Sequence, residues 1–159
     1  SSIASAFSDF AKMPTQKRER IEVISVVKLA LDIFNEDAVK YVPQEKELFA
    51  NLDKTQLIRI VTNLVKNASQ ATEKQENPLI EVTVLSEENN VKIIVSDNGK
   101  GIPVDVKELI FEPKFTTKTS GMGLGLGIIK NIIEAYDGTI SFTSKEGIGT
   151  VFTVILPRK

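Results

Sequence analysis

The sequence predicts a two-layer α/β sandwich, a mixed, mostly antiparallel sheet packed on helices. Three observations carry this. Residues 54–73 form a long amphipathic helical segment, and two alternating apolar stretches, 79–86 and 91–97, follow it directly. A second helical segment over 124–136 then precedes two more stretches of strand character, at 139–144 and 150–156. With 159 residues the chain suits one domain, large enough to bury roughly 70% of its unfolded surface.

In chain order, Ile3, Phe7, Phe10 and Ala11 stand at helical spacing and Pro14 ends that segment. Residues 1–14 therefore read as the tail of a helix that continued upstream. Residues 15–21 are polar and charged, and read as a linker; the domain proper is expected over 22–159. Residues 22–35 are apolar and rich in β-branched side chains; their length favours a helix. Residues 38–50, interrupted by Pro43, suggest one or two short strands. In the 54–73 helix, Leu57, Val61, Leu64, Ala68 and Ala71 make the apolar stripe, with Asp53 as N-cap and Gln56 three residues on. Alternation puts Ile80, Val82 and Val84, then Val91, Ile93 and Val95, toward the core, and the polar turn 87–90 joins these strands as a hairpin. Residues 98–123 are rich in Gly, Thr and Lys, with one short helical piece near 103–109. In the second helix Ile128, Ile129, Ile132, Ile133 and Tyr136 share a face, and Asp137-Gly138 stops it.

Apolar content of 42% and charged content of 26% are ordinary for a globular protein, and a net charge of −1 offers nucleic acid or an anionic membrane no general attraction. No apolar run approaches the ~18–20 residues that cross a bilayer. Cysteine is absent, so disulfides and thiolate chemistry are excluded; histidine is absent too, which removes imidazole bases, most zinc sites and Ser-His-Asp triads.

Four segments carry candidate chemistry. Asn63 and Asn67 lie one helical turn apart beside the apolar stripe, and Gln70 continues that edge. They are either solvated or capping amides, or ligands for triphosphate oxygens and a hydrated magnesium ion. Asp97 ends a strand on its inward face, where a carboxylate is costly unless partnered. It either nucleates the Asp-Asn-Gly turn or accepts from an exocyclic amino group such as that of adenine. Asn98-Gly99-Lys100-Gly101 follows, with glycines that let backbone approach a ligand. Residues 111–120 supply Thr116, Thr117, Lys118 and Ser120 where phosphate would lie, with Phe111 and Phe115 as anchors; the alternative is an exposed basic loop. Gly121-Met122-Gly123-Leu124-Gly125-Leu126-Gly127 runs into a helix, whose free N–H groups suit phosphate. It matches neither a Walker loop nor the Gly-x-Gly-x-x-Gly of dinucleotide folds and protein kinases.

In this order the segments resemble the catalytic domain of bacterial sensor histidine kinases. Residues 63–72 (NLVKNASQAT) look like the N box, 97–103 (DNGKGIP) like the G1 box, 110–118 (IFEPKFTTK) like the F box and 121–130 (GMGLGLGIIK) like the G2 box; 149–157 (GTVFTVILP) resembles the closing strand. The likeness covers about residues 21–157. The Asn-Ala-x-Gln-Ala form is similar to the nitrogen-regulation subgroup, and residues 8–14 (SDFAKMP) resemble the end of that subgroup's second dimerisation helix.

The resemblance implies the Bergerat ATP-binding fold with a mobile ATP lid, and ATP or ADP with Mg2+ as cofactors. Under it Asn67 would hold magnesium and Asn63 would support the phosphate side. Asp97 would accept the adenine amino hydrogen, with Gly99, Gly101 and Ile102 shaping the base pocket and Thr150 reaching Asp97 through a water. Thr116, Thr117 and Lys118 would sit on the lid, and Gly121, Gly123, Leu124, Gly125 and Leu126 would hold the phosphates. Asn63 and Lys118 are the candidate catalytic residues. In hydrolysing relatives a glutamate stands four residues before the magnesium asparagine; Asn63 occupies that position and is no carboxylate base. The expectation is a kinase domain that binds Mg-ATP and donates the γ-phosphoryl group to a histidine elsewhere in its parent, then on to a response regulator. This chain alone would not autophosphorylate, would be a monomer in isolation and would belong to a cytoplasmic part of a sensor. A non-catalytic nucleotide-sensing module, or a serine kinase or ATPase of the same fold, are the alternatives. Lys114, Gly127 and Tyr136-Asp137 depart from common family residues without touching the key polar positions.

Overall fold

The computed structural model describes residues 16–34, 37–112 and 122–159, with side chains from residue 125 onward in the last stretch. The helical segment expected over residues 3–11 lies outside them. The described residues open with β1 (Glu19–Glu22), so the charged stretch read as linker runs into a strand. Helix α1 (Val23–Leu31) follows, then β2 (Val39–Pro43), β3 (Phe49–Leu52) and α2 (Lys54–Thr72). Next come β4 (Ile80–Glu87), β5 (Asn90–Asp97), a 3-10 helix (Val104–Leu109), α3 (Met122–Ala135), β6 (Thr139–Lys145) and β7 (Gly149–Pro157).

Five strands make one sheet in the order β2-β4-β5-β7-β6, antiparallel except for the β2–β4 pair; β1 and β3 form a separate antiparallel ribbon. The hairpin over residues 80–97 keeps Val82 opposite Val95 and Val84 opposite Ile93, so both strands turn the same alternate residues to the helices. Those residues, with Phe152, Val154 and Leu156 of β7, are buried against Leu57, Ile60, Val61 and Leu64 of α2 and Leu126, Ile129, Ile132 and Ile133 of α3. The two-layer sandwich expected from the pattern is the architecture observed.

Helix starts and stops follow their local chemistry. Asp53 Oδ1 accepts from Gln56 N at 3.1 Å, the cap anticipated for α2. Glu22 caps α1: its carboxylate accepts from Ile24 N at 2.8 Å and Ser25 N at 3.1 Å, and also from Leu48 N at 2.9 Å, which ties the ribbon to the helix. Burial alone would raise the Glu22 carboxyl pKa, but the bonds from the Ser25 hydroxyl and these N–H groups outweigh it and hold the group below its ordinary value. At the end of α3 the left-handed residue is Asp137 (φ 61°), not Gly138. Gly138 serves the close approach of this turn to β7, since a Cβ there would overlap the Ile155 carbonyl oxygen.

The chain enters the domain at a polar junction. Asp53 Oδ2 accepts from Lys17 N at 2.8 Å, the Tyr136 hydroxyl accepts from Asp53 N at 3.0 Å and donates to Gln56 Oε1 at 2.7 Å, and the Arg18 guanidinium lies 4.6 Å over the Tyr136 ring. The start of α2 and the end of α3 are thus locked together where residues 16–18 arrive. No helix of the described residues is long and apolar enough to cross a membrane.

Candidate nucleotide-binding site

Helix α2 is the spine along which the candidate residues gather. Asn63 faces the first turn of α3, where a Cβ on Gly125 would stand 3.3 Å from Asn63 Oδ1, so the absence of a side chain lets the two helices meet. One turn further along α2 is Asn67, 7% exposed. Ala71, another turn on, receives the turn after β5: Lys100 N donates to its carbonyl at 3.1 Å, and a Cβ on Gly99 would overlap that same oxygen. From Asn63 to Ala71 the helix rises about 12 Å. The structure therefore lays the mouth of α3, the two asparagines and the Asp97 turn along one side of one helix.

At the far end, Asp97 closes β5 opposite Thr150 of β7 and opposite Ile80 of β4. It is 9% exposed and its Oδ1 accepts from Gly99 N at 2.8 Å. Burial pushes its carboxyl above the ordinary Asp value, and the backbone N–H groups of Gly99 and Thr150 pull it part of the way back. The turn reading of Asp97 is observed in its bond from Gly99 N, and its remaining acceptor capacity stays in a buried place.

Around it the backbone is crowded. Gly101 adopts φ 75°, and a Cβ there would overlap the Lys145 carbonyl oxygen; Gly149 adopts φ 145°, with its Cβ position on the Asp97 carbonyl oxygen. These glycines, and Gly99, are required for protein packing, a reason distinct from the close ligand approach read from sequence. Ile102 is 5% exposed, and its N–H donates to Ser144 Oγ at 2.8 Å. Ser144 also stands 2.8 Å from Thr150 Oγ1 and 3.1 Å from the Gly149 carbonyl oxygen. Sequence reasoning missed Ser144. The signal available was its place in Ser-x-x-Gly-x-Gly-Thr, whose hairpin returns it beside Thr150.

At the near end the polar groups are less satisfied. Asn63 Nδ2 donates to the Arg59 carbonyl at 3.0 Å, a local helix bond. Asn67 Nδ2 and Gln70 Oε1 are both buried and have no hydrogen-bond partner among the described residues. One open donor and one open acceptor on adjacent turns fit phosphate oxygens and the waters of a hydrated cation, the first accepting and the second donating. No group of three or more His, Cys, Asp or Glu side chains able to hold a metal gathers among the described residues.

Thr116, Thr117, Lys118 and Gly121 lie outside the described residues, as do Lys114, Phe115 and Ser120. Gly123 and Leu124 fall in the first turn of α3, which begins at Met122, two residues before the start expected from sequence. Leu126 is fully buried under that turn. Phe111 anchors the chain before the undescribed stretch, its ring 5.8 Å from that of Phe142 with Lys130 Nζ 5.4 Å away.

Comparisons with known proteins agree with this fold. The family described as histidine kinase-, DNA gyrase B-, and HSP90-like ATPase matches residues 52–159. A sensor histidine kinase NtrY-like protein of Rickettsia conorii is 32% identical over 156 residues, covering 96% of this chain and 26% of its own length. Sensor histidine kinase ZraS of Escherichia coli K12 is 45% identical over 105 residues, 66% of this chain and 22% of that protein. The chain thus spans about a quarter of the length of these curated relatives. Among solved structures, the catalytic domain of histidine kinase ThkA superposes with TM-score 0.78 at 32% identity, covering 89% of this chain and 96% of that one. Mycobacterial sensor histidine kinase MprB shares the fold, with TM-score 0.74 at 22% identity.

The chain belongs to the histidine kinase-, DNA gyrase B- and HSP90-like ATPase family. Within it, this is an ATP-binding catalytic domain of the sensor histidine kinase type.

Proposed function

We propose that this domain binds Mg-ATP between α2 and the mouth of α3 and donates its γ-phosphoryl group to a histidine on the dimerisation segment of its parent protein. The phosphoryl group then passes to a response regulator, and the domain works in the cytoplasm. The observation that carries this reading is the pair of open amide atoms on α2, Asn67 Nδ2 and Gln70 Oε1, set between Asn63 at the α3 mouth and the Asp97 turn. In this reading Asp97 accepts the adenine amino hydrogen beside Thr150, and Gly99, Gly101 and Ile102 frame the base. Asn67 would hold magnesium and the phosphate oxygens, with Gln70 beside it as a further acceptor. Magnesium, when bound, neutralises charge on the β- and γ-phosphates. Gly121, Gly123, Leu124, Gly125 and Leu126 present the N–H end of α3 to the phosphates, and Thr116, Thr117 and Lys118 cover the γ-phosphate.

Asn63 supports positioning rather than water activation. Its amide is no carboxylate base and its Nδ2 is already donated to Arg59, so transfer is favoured over hydrolysis. The test supplies a histidine-bearing dimerisation segment of an NtrY-like or ZraS-like relative in trans with γ-labelled ATP. Acid-labile label on that segment supports the kinase reading; nucleotide binding without transfer would leave a sensing module instead. Label on this chain alone would contradict it, because it contains no histidine.

A further inference from the structure

We propose that Ser144 is a positioning residue that makes the base end of the pocket read a 6-amino purine and reject a 6-oxo purine, by fixing the direction of the Thr150 hydroxyl. The inference rests on the reading of Asp97 and Thr150 as the base end of the site.

The protons available at Ser144 and Thr150 fix the direction of their hydrogen bonds. A serine hydroxyl has one proton to donate and two lone pairs to accept with. Ser144 Oγ makes three contacts: Ile102 N at 2.8 Å, the Gly149 carbonyl oxygen at 3.1 Å and Thr150 Oγ1 at 2.8 Å. Ile102 N–H can only donate and the Gly149 carbonyl can only accept, so the serine proton goes to Gly149 and one lone pair is taken by Ile102. A single arrangement satisfies the third contact, in which Thr150 donates its own proton to Ser144. Thr150 Oγ1 then has only lone pairs left for a ligand.

Both fixed partners are backbone atoms in a rigid setting. Ile102 follows the turn at Gly101, whose φ of 75° suits glycine, and Gly149 opens β7 one residue before Thr150. Ser144 pairs with Thr150 across the β6–β7 hairpin, and the Ser144 carbonyl accepts from Lys107 Nζ at 2.6 Å, which ties that strand end to the 3-10 helix. Thr150 is 4% exposed and stands directly opposite Asp97 across β5 and β7. An ionised Asp97 carboxylate is acceptor-only. The two opposed groups therefore present acceptors alone. An amino group supplies the hydrogen they lack; a carbonyl oxygen at the same place meets lone pairs on both sides, with a buried acceptor left unpaired.

Removing the Ser144 hydroxyl frees the Thr150 proton to turn toward the ligand, where it can serve a 6-oxo group. Calorimetric titration of this chain with ADP and with inosine diphosphate tests this directly. Ser144→Ala is expected to lower the ADP-over-inosine-diphosphate preference by about tenfold, the worth of one hydrogen bond exchanged for one unmet acceptor. Thr150→Val, which has no proton to turn, weakens ADP without improving inosine diphosphate, and Ser144→Ala added to Thr150→Val leaves the preference where Thr150→Val put it. Ser144→Thr restores the native preference. Should Ser144→Ala lose its cooperative melting transition, Ser144→Cys, close in volume but a poor hydrogen-bonding group, gives the same ratio readout. Equal loss of both nucleotides in the serine variants, or an unchanged ratio, would mean that Ser144 only braces the Ile102 turn, and the proposal is wrong. Unchanged ADP binding in Asp97→Asn would instead overturn the placement of the base, and this inference with it.

Discussion

The two ends of the candidate site differ in how completely they are built. At the Asp97 end each named polar group has a partner within the protein: Gly99 N on Asp97, Ile102 N and Thr150 on Ser144. Backbone approaches there are so close that three positions admit no Cβ. At the Asn67 end, a donor and an acceptor are buried with no partner among the described residues. One end is closed by the protein's own bonds; the other leaves polar groups open, which under the proposed function a ligand would complete. An unsatisfied buried group costs about 1–3 kcal/mol, so the phosphate side lowers the stability of the free domain in proportion to what ligand contact returns.

The contrast can be broken by four measurements. The largest effect is expected from Gly149→Ala, which puts a methyl group on the Asp97 carbonyl oxygen and should cost on the order of 3 kcal/mol in urea unfolding; a loss under about 0.5 kcal/mol, the range of an inert surface change, would show that the base end is not rigid. Next is Asp97→Asn, expected to weaken ADP by about ten- to a hundredfold, the worth of a bond to a charged acceptor. Its apo stability should not fall with it, since a buried charge is removed. Asn67→Ala should erase the gain in affinity that magnesium gives, about tenfold, while the melting temperature of the free domain stays level or rises. A clear drop there would mean the Asn67 amide is already satisfied, and the contrast would disappear.

The smallest effect is in pH. Because the folded Asp97 carboxyl is raised, the unfolded chain gives up its proton first as pH rises. Asp97's share of stability is therefore full below the ordinary Asp range and lost by the pH at which the folded carboxyl has ionised. The stability of Asp97→Asn relative to the parent chain should accordingly be more favourable at pH 7 than at pH 3, measured as the difference in urea midpoints. The opposite slope would assign Asp97 a compensating cation.

Much of this was legible in sequence because the local codes agree with one another. In α2 the apolar stripe, the Asp53 cap and the length all indicate the same element, and alternation in 80–97 put Asp97 inward at the end of its strand. β1 was missed because Glu19 and Arg20 carry no apolar alternation; that strand exists through its pairing with β3, a contact about 30 residues away. The start of α3 was placed two residues late, since Gly123 counts against a helix in isolation. Ser144 was missed for a different reason. It shares the half-buried face of β6 with Ile140 and Phe142, but nothing in its own strand indicates a polar partner, and the β6–β7 register brings it to Thr150.

The entry junction has a mechanical consequence. Lys17 N is held by Asp53 Oδ2, whereas the α2 cap uses the other oxygen, Oδ1. Peeling residues 16–18 away thus breaks one charge-assisted bond and a cation–ring contact, on the order of 2–4 kcal/mol, without uncapping the helix. The incoming strap is a detachable tether. A pull on residues 16–18 therefore meets these contacts before it reaches the α2 cap.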